Sequence, residues 1–223
     1  MTRRTPRTGP TPPRPPEFAH ADLRPHPGPL VPEGDYDTER FTGLDLTRTH
    51  APGARFLDCA LADVTLDEAG LRGARFTDCA LTGVHGVGTD LADAGLRDVE
   101  IADARLGGVQ LHGAVLRRVR FRGGKLDYLN LRGTTLTDVV FEGCVLVEPD
   151  LGDARLERVA FRDCTLRDVA LSGATLRDTD FREAAGLTLA HGVDALAGAT
   201  LTPTQLLDLA PALAAHLRID VRA

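Results

Sequence analysis

Residues 111–141 read LHGAVLRRVRFRGGKLDYLNLRGTTLTDVVF and carry a large apolar residue at every fifth position. The same spacing extends in both directions, from Phe41 to Phe181, and 27 of its 29 positions are Leu, Phe or Ile. The two exceptions are Ala51 and Gly86. An α-helix repeats its apolar face about every 3.6 residues and a strand about every 2, so neither element explains a period of five.

The residues on either side of each large side chain complete a five-residue unit. Two places before it stands a small residue, chiefly Ala, Val, Cys or Thr, and two places after it stands chiefly Asp, Glu or Gly. Asp and Gly suit exposed turns. Each unit therefore predicts two inward side chains followed by a corner. Repeated corners wind the chain into coils whose backbones pair at about 4.8 Å, which is an all-β solenoid.

Two segments carry a known repeat pattern most clearly: Ala94–Asp98 (AGLRD) and Ala154–Arg158 (ARLER). They resemble the pentapeptide repeat family, whose unit is Ala-Asp/Asn-Leu-x-x. The resemblance spans residues 36–184 and implies a right-handed quadrilateral β-helix with four units per coil. The outer surface departs from the family pattern, because the residue before the large side chain is rarely Asp or Asn.

A slip in the aromatic spacing predicts a loop. If four units form a coil, side chains 20 residues apart should stack. Two aromatic series keep this spacing but are out of step with each other by one unit: Tyr36, Phe56 and Phe76, and then Phe121, Phe141, Phe161 and Phe181. Removing one unit aligns them, so we predict that His85, Gly86, Val87, Gly88 and Thr89 form an extruded loop. The alternative is that no unit leaves the coil and each face changes its residues along the rod.

With that unit removed, the outward charges sort into an acidic and a basic face. The acidic face carries Asp67, Glu68, Asp90, Asp93, Asp150 and Asp153 against Arg132 alone. Its neighbour is rich in arginine, and residues 104–135 form a basic belt. We predict that the acidic face binds a protein partner, with the 85–89 loop beside it as a specificity element. The alternative is that the charges only keep the solenoid soluble and discourage edge pairing.

Composition excludes several classes of function. Lys125, the only lysine, precedes Leu126 rather than Ser or Thr, so a phosphate-binding loop is absent. Ser172, the only serine, lacks the Gly-x-Ser-x-Gly context of a nucleophile elbow. The four cysteines occupy the small inward position and are interpreted as packed thiols in a reducing compartment rather than disulfides or metal ligands. We predict no enzyme activity, no cofactor and no metal.

The two ends of the chain differ from the repeats. Residues 1–35 are rich in proline and predict a disordered tail without a signal peptide or membrane span, so the protein is expected in the cytoplasm. Residues 185–223 predict a short C-terminal α-helical cap, because residues 202–205 read TPTQ, a capping box with Pro at the first helical position. Ile219 and Val221 suggest a terminal strand. The predicted apolar face of the helix is Leu206, Leu209, Leu213 and Leu217.

The C-terminal segment resembles that of the gyrase-protecting fluoroquinolone-resistance members of the family, which implies a homodimer; simple capping is the alternative. The same resemblance implies a DNA-mimicking protein that binds DNA gyrase or topoisomerase IV. Such binding would protect the enzyme from, or modulate it against, topoisomerase-targeting antibiotics. Direct binding to nucleic acid is not expected, since the net charge is -6 and aromatic residues are few. The alternative function is a non-catalytic interaction scaffold with an unknown partner.

Overall fold

A computed structural model describes residues 23–222, so residues 1–22 of the predicted tail and the last residue lie outside the described part. The backbone forms a parallel β-solenoid of about eight coils, which confirms the all-β solenoid. Twelve strands form the first sheet: β1 (Arg24–Pro25), β2 (Asp35–Asp37), β3 (Glu39–Thr42), β4 (Arg55–Leu57), β5 (Ala60–Ala62), β6 (Arg75–Thr82), β8 (Gly95–Ala102), β10 (Val115–Arg122), β12 (Thr135–Glu142), β14 (Arg155–Arg162), β16 (Thr175–Asp180) and β18 (Ala199–Thr200). Six form the second: β7 (His85–Val87), β9 (Arg105–Gly107), β11 (Lys125–Asp127), β13 (Val145–Val147), β15 (Thr165–Ala170) and β17 (Gly186–His191).

The register of the strands gives the length of a coil. In the pairing of β10 with β12, Leu116 lies opposite Leu136 and Phe121 lies opposite Phe141. In the second sheet, Leu126 lies opposite Leu146. Partners are thus 20 residues apart, and four five-residue units complete one coil.

The corners between units share one backbone conformation. Every fifth residue from Glu33 to Asp178 has a positive φ, for example Asp98 at 55° and Gly133 at 62°. Glycine adopts this left-handed region without steric cost, and Asp enters it more easily than most residues do. This explains why Asp and Gly dominate the corner position, and it confirms the predicted corner.

Four columns of inward side chains fill the interior and define four faces. The first face holds Tyr36, Phe56, Phe76, Leu96, Leu116, Leu136, Leu156 and Leu176; the second holds Phe41, Leu61, Leu81, Ile101, Phe121, Phe141, Phe161 and Phe181. The third holds Leu46, Leu66, Gly86, Leu106, Leu126, Leu146 and Leu166; the fourth holds Ala51, Leu71, Leu91, Leu111, Leu131, Leu151 and Leu171. Nearly all of these side chains are buried, so the core runs the length of the rod.

The predicted extrusion of residues 85–89 is wrong. His85–Val87 is strand β7, and Gly86 lies opposite Leu106 of β9 in the ordinary register. A Cβ on Gly86 would lie 2.6 Å from Thr89 Oγ1, so the side chain of Thr89 occupies the space that a larger residue would need. The coil is continuous because its hydrogen bonds join backbone groups and do not need a large residue in every unit.

The two aromatic series consequently stack on different faces. Phe56 and Phe76 stack on the first face, with ring centroids 4.6 Å apart and an interplanar angle of 2°. Phe121 and Phe141 stack on the second, at 4.6 Å and 6°. Aliphatic residues occupy the adjoining positions of each column. The structure therefore matches the alternative in which no unit leaves the coil and each face changes its residues along the rod.

The solenoid begins earlier than predicted. Leu23 and Leu30 are buried, and β1 pairs with β3, so the described part of the predicted disordered tail, residues 23–35, belongs to the fold. The His26 ring lies 4.6 Å from the Phe41 ring. These residues cover the open N-terminal end of the core, which would otherwise expose apolar side chains to water.

The coil also continues beyond residue 184. Strand β17 pairs with β15, but Leu187 lies opposite Leu166, so this step contains one extra residue. A 3-10 helix, Val193–Leu196, and β18 complete the coil. The domain boundary predicted at 184 and 185 is therefore wrong, because the strands outlast the five-residue pattern.

Helix α1 (Pro203–His216) closes the C-terminal end and continues through Pro211. Its capping box is confirmed: the backbone N of Gln205 donates to Thr202 Oγ1 at 3.1 Å, and the backbone N of Thr202 donates to Gln205 Oε1 at 2.9 Å. The predicted terminal strand at Ile219 and Val221 is wrong. The Ile219 backbone N instead donates to Ala214 O at 2.8 Å and ends the helix.

Candidate interaction surfaces

The six residues predicted to form one acidic face lie on two. Asp67 and Glu68 directly follow Leu66 on the third face. The other four, Asp90, Asp93, Asp150 and Asp153, lie on the fourth face. The predicted single row is wrong because the removed unit shifted every position before it by one face.

Most of these carboxylates have a partner on a neighbouring coil. Glu68 accepts from Arg48 Nε at 2.8 Å, and Asp93 accepts from Arg72 Nη2 at 2.6 Å. Arg132 bridges the other pair of acids: its Nη1 donates to Asp150 Oδ2 at 3.2 Å, and its Nη2 donates to Asp153 Oδ2 at 3.3 Å. Asp67 accepts from the Val87 backbone N at 2.8 Å, and Asp90 accepts from the Ala92 backbone N at 2.9 Å. The surface is a set of ion pairs and turn contacts rather than a bare row of negative charge.

The predicted basic face is also wrong. Arg72 lies on the fourth face, whereas Arg97, Arg117 and Arg155 lie on the first. From residue 35 to residue 178, the first face carries as many acidic as basic side chains. The 104–135 belt encircles the rod instead of forming a patch, since Lys125 projects from the third face beside Asp127.

An ionic ladder follows the corner between the first and second faces. Arg118 binds both carboxylate oxygens of Asp98, and Arg158 binds Asp138 through Nε at 2.6 Å and Nη2 at 2.9 Å. The hydrogen bonds from Arg118 lower the pKa of Asp98. Asp78, one coil before Asp98, has a raised pKa because it is partly buried and faces like charges. The ladder therefore stabilises one carboxylate and disfavours ionisation of its neighbour.

The five residues predicted as a specificity loop lie flat on the third face and at its corner. His85 Nδ1 is 3.2 Å from Asp67 Oδ1, and buried Thr89 donates to Leu66 O at 2.7 Å. Val87 is 53% exposed, and Gly88 forms an ordinary corner with φ 65°. This segment offers surface contacts but no protruding element.

The C-terminal helix divides its predicted apolar face between two roles. Leu209 is buried against the solenoid, and Gln205 Nε2 donates to Phe181 O at 2.7 Å, so part of the helix is a cap. Leu213 is half-buried, whereas Leu206 and Leu217 are exposed.

The predicted apolar face of the helix does not include Leu207, which is 72% exposed. It also leaves out Ile219 and Val221, which are exposed beyond the helix. The adjacent Leu206-Leu207 pair is the signal that was available, since neighbouring helical residues point about 100° apart. The exposed C-terminal apolar surface, as we name it, consists of Leu206, Leu207, Leu217, Ile219 and Val221.

Two further features concern residues 23–222. Within that range, no group of three or more His, Cys, Asp or Glu side chains is placed to hold a metal ion. The helices described there include none that is long and apolar enough to cross a membrane.

Comparison with known protein families gives two overlapping matches. Residues 54–131 match the family model described as a pentapeptide repeat region, and residues 125–163 match the model for pentapeptide repeats in eight copies. The search of curated proteins found no match.

The chain is similar to several solved structures, each at 20% identity or less. QnrB1, a plasmid-mediated fluoroquinolone resistance protein, is 19% identical, with 85% of this chain and 100% of that chain covered and a TM-score of 0.43. HetL, involved in heterocyst differentiation regulation in the cyanobacterium Nostoc, is 20% identical, with 68% and 89% covered and a TM-score of 0.30. Rfr23 from the cyanobacterium Cyanothece is 16% identical, with 50% and 87% covered and a TM-score of 0.38.

Proposed function

The chain belongs to the pentapeptide repeat family, and we propose that it is a non-catalytic, rod-shaped interaction protein that works as a homodimer. The exposed C-terminal apolar surface carries the dimer proposal. Its members include Leu217 at 65% and Val221 at 76% exposure, next to an end of the rod that α1 already caps. The five exposed apolar side chains all lie within residues 206–221, and this concentration supports an association site at the C-terminal end. Pairing of two such ends produces a rod of twice the length.

The dimer is tested by the double variant Leu207→Glu and Leu217→Glu. Two buried charges per protomer oppose association, so we expect a monomer by analytical ultracentrifugation where the native chain is a dimer. The double variant Val87→Glu and Val115→Glu is the matched control, because both valines are similarly exposed but lie on the third and first faces. A monomeric native chain, or a double variant that still dimerises, rejects this interface.

We propose DNA gyrase or topoisomerase IV as the protein partner, with binding that protects the enzyme from, or modulates it against, topoisomerase-targeting antibiotics. The fourth face supports this proposal, because Asp90 and Asp93 stand three coils from Asp150 and Asp153. At about 4.8 Å per coil, the two acidic pairs are about 14 Å apart on a rigid surface. An enzyme surface that binds phosphates through Arg and Lys is complementary to fixed carboxylates. The proposal includes a cytoplasmic location, where such a partner works.

The partner proposal is tested by gyrase and topoisomerase IV assays, with and without a fluoroquinolone. We expect micromolar protein to change supercoiling or drug-induced cleavage, and the fourth-face variant with Asp90, Asp93, Asp150 and Asp153 all changed to Asn to lose the effect. The control changes four exposed corner acids of the first and second faces to Asn, with the same change in charge: Asp58, Asp63, Asp103 and Asp163. Equal activity of the two variants rejects the fourth face. No effect of the native chain on either enzyme rejects this partner and leaves the interaction rod to be tested with other proteins.

A further inference from the structure

The four cysteines of the chain form two matched pairs across neighbouring coils. Cys59 and Cys79 are one coil apart beside the second face, and Cys144 and Cys164 are one coil apart beside the third. The flanking backbone bonds are the same in both pairs: Ala80 N donates to Cys59 O at 3.0 Å, and the residue after Cys164 donates to Cys144 O at 3.0 Å. Each cysteine thus faces its partner in register, with both side chains pointing inward.

This register brings each pair close to disulfide geometry. In-register residues of neighbouring parallel strands lie about 4.8 Å apart, within the Cα separation of about 4.4–6.8 Å found in disulfides. Parallel Cα–Cβ bonds keep the Cβ atoms at about the same spacing, slightly beyond the usual 3.5–4.5 Å. Closure therefore requires the two coils to draw together by a few tenths of an ångström. That strain makes the resulting bond easier to reduce than a relaxed structural disulfide.

The thiols are protected while the coils are closed. All four are buried, and each donates a weak hydrogen bond to a carbonyl, for example Cys79 Sγ to Thr77 O at 3.2 Å. Burial disfavours the charged thiolate of all four cysteines. The neighbouring thiol and burial raise the pKa of Cys79 and of Cys144, whereas the hydrogen bond between the two thiols lowers the pKa of Cys59 and of Cys164. Because the thiolate is the reactive species, exchange is slow in the closed rod and occurs when the coils open or as they fold.

We propose that Cys59–Cys79 and Cys144–Cys164 are two cross-coil disulfide sites that react with small disulfides of the oxidised glutathione class. One cysteine thiolate attacks a sulfur of the small disulfide, forms a mixed disulfide and releases one thiolate. Its partner then attacks the cysteine sulfur of that mixed disulfide, closes the cross-coil bond and releases the second thiolate. The two protons lost by the cysteines go to the two released thiolates, so one small disulfide is reduced for each bond formed.

The two disulfide bonds would cross-link different parts of the rod. Each closes a 20-residue loop that coincides with one coil. One bond ties coils near the N-terminal end, and the other ties coils toward the C-terminal helix. A loop constrained in the unfolded chain raises the stability of the folded state. The rod is therefore more resistant to unfolding under oxidising than under reducing conditions.

The test refolds the full chain from the reduced, denatured state in a buffer of reduced and oxidised glutathione. Refolding lets the pairs form before burial protects them. Free thiols are then alkylated under denaturing conditions, and linked peptides are identified by mass spectrometry. We expect the 59–79 and 144–164 bonds and neither of the other two-bond pairings. We also expect oxidised protein to unfold at a higher urea concentration than reduced protein.

A single-site variant separates pairing from general oxidation. In Cys79→Ser, we expect Cys59 to remain alkylatable or carry glutathione while the 144–164 bond still closes; circular dichroism checks that the fold is retained. Four free thiols in refolded native protein, at a ratio that oxidises a reference dithiol peptide, overturn the proposal. A dominant bond between the two pairs, such as 79–144, overturns it as well.

Discussion

Gly124 occupies the small inward position directly after the corner Gly123, and there the stacked backbones leave no room for a side chain. Its φ is +90°, and a Cβ added there would lie 2.3 Å from Ala104 O and 2.8 Å from Ala104 N on the preceding coil. Gly133, an ordinary corner, is the comparison site: its φ is +62°, and nothing lies within 4 Å of an added Cβ. An alanine in the left-handed region costs about 1–2 kcal/mol at either site. Displacing the backbone at Gly124 adds about 1–3 kcal/mol, as in overpacked cores.

We therefore expect Gly133→Ala to lower the free energy of unfolding by about 1–2 kcal/mol and Gly124→Ala to lower it by about 2–5 kcal/mol. Urea unfolding followed by far-UV circular dichroism measures both variants against the native chain. Equal losses in the two variants would refute the reasoning, because only Gly124 is pressed against the neighbouring coil. If Gly124→Ala loses only about 1–2 kcal/mol, as expected for alanine in the left-handed region, the neighbouring coils separate at little cost.

Three other substitutions test the core and the ionic ladder. Asp78→Asn should raise the urea midpoint at neutral pH, because burial and like charges raise the pKa of Asp78; the gain fades as pH falls and the native carboxyl becomes protonated. Arg118→Gln should cost about 1.5–3 kcal/mol at neutral pH, because Asp98 loses both hydrogen bonds from Arg118 and keeps Arg97 Nε, 3.5 Å from its Oδ2; the cost should shrink as pH falls through the lowered pKa of that carboxyl. Phe141→Ala should cost about 3–5 kcal/mol by opening the stacked column, against about 0.5 kcal/mol or less for the exposed control Leu57→Ala in the same unfolding assay.

The five-residue pattern predicts the coil because side-chain size reports directly on which positions face the interior. It does not report how many units separate two stacked residues, since the coils pair through backbone groups that every residue supplies. Gly86 illustrates the difference: the residue lacks a side chain, yet its backbone pairs with Leu106 as usual. Aromatic residues stack when they fall in one column, but nothing requires every aromatic residue to use the same column.

The predicted boundaries of the solenoid are wrong at both ends for a related reason. Leu187 pairs with Leu166 across one extra residue. A strict five-residue pattern therefore stops at this point, although the sheet continues. At the other end, the proline-rich composition predicts disorder, yet β1 and the two buried leucines around it need only a few backbone bonds to cover the core. The capping box at Thr202 was predictable because its residues contact each other locally.

Register decides how charge on a solenoid is interpreted. Moving the chain by one five-residue unit transfers every side chain to a neighbouring face. Wrongly removing the unit 85–89 therefore assigns acidic residues of the third and fourth faces to a single face. In the observed register, Glu68 and Asp93 each pair with an arginine one coil away, and those pairs run along the rod. Interaction through these faces therefore requires a partner that competes for fixed ion pairs, which favours a specific protein surface over a nonspecific one. The exposed C-terminal apolar surface meets no such competition, and we expect association to begin there.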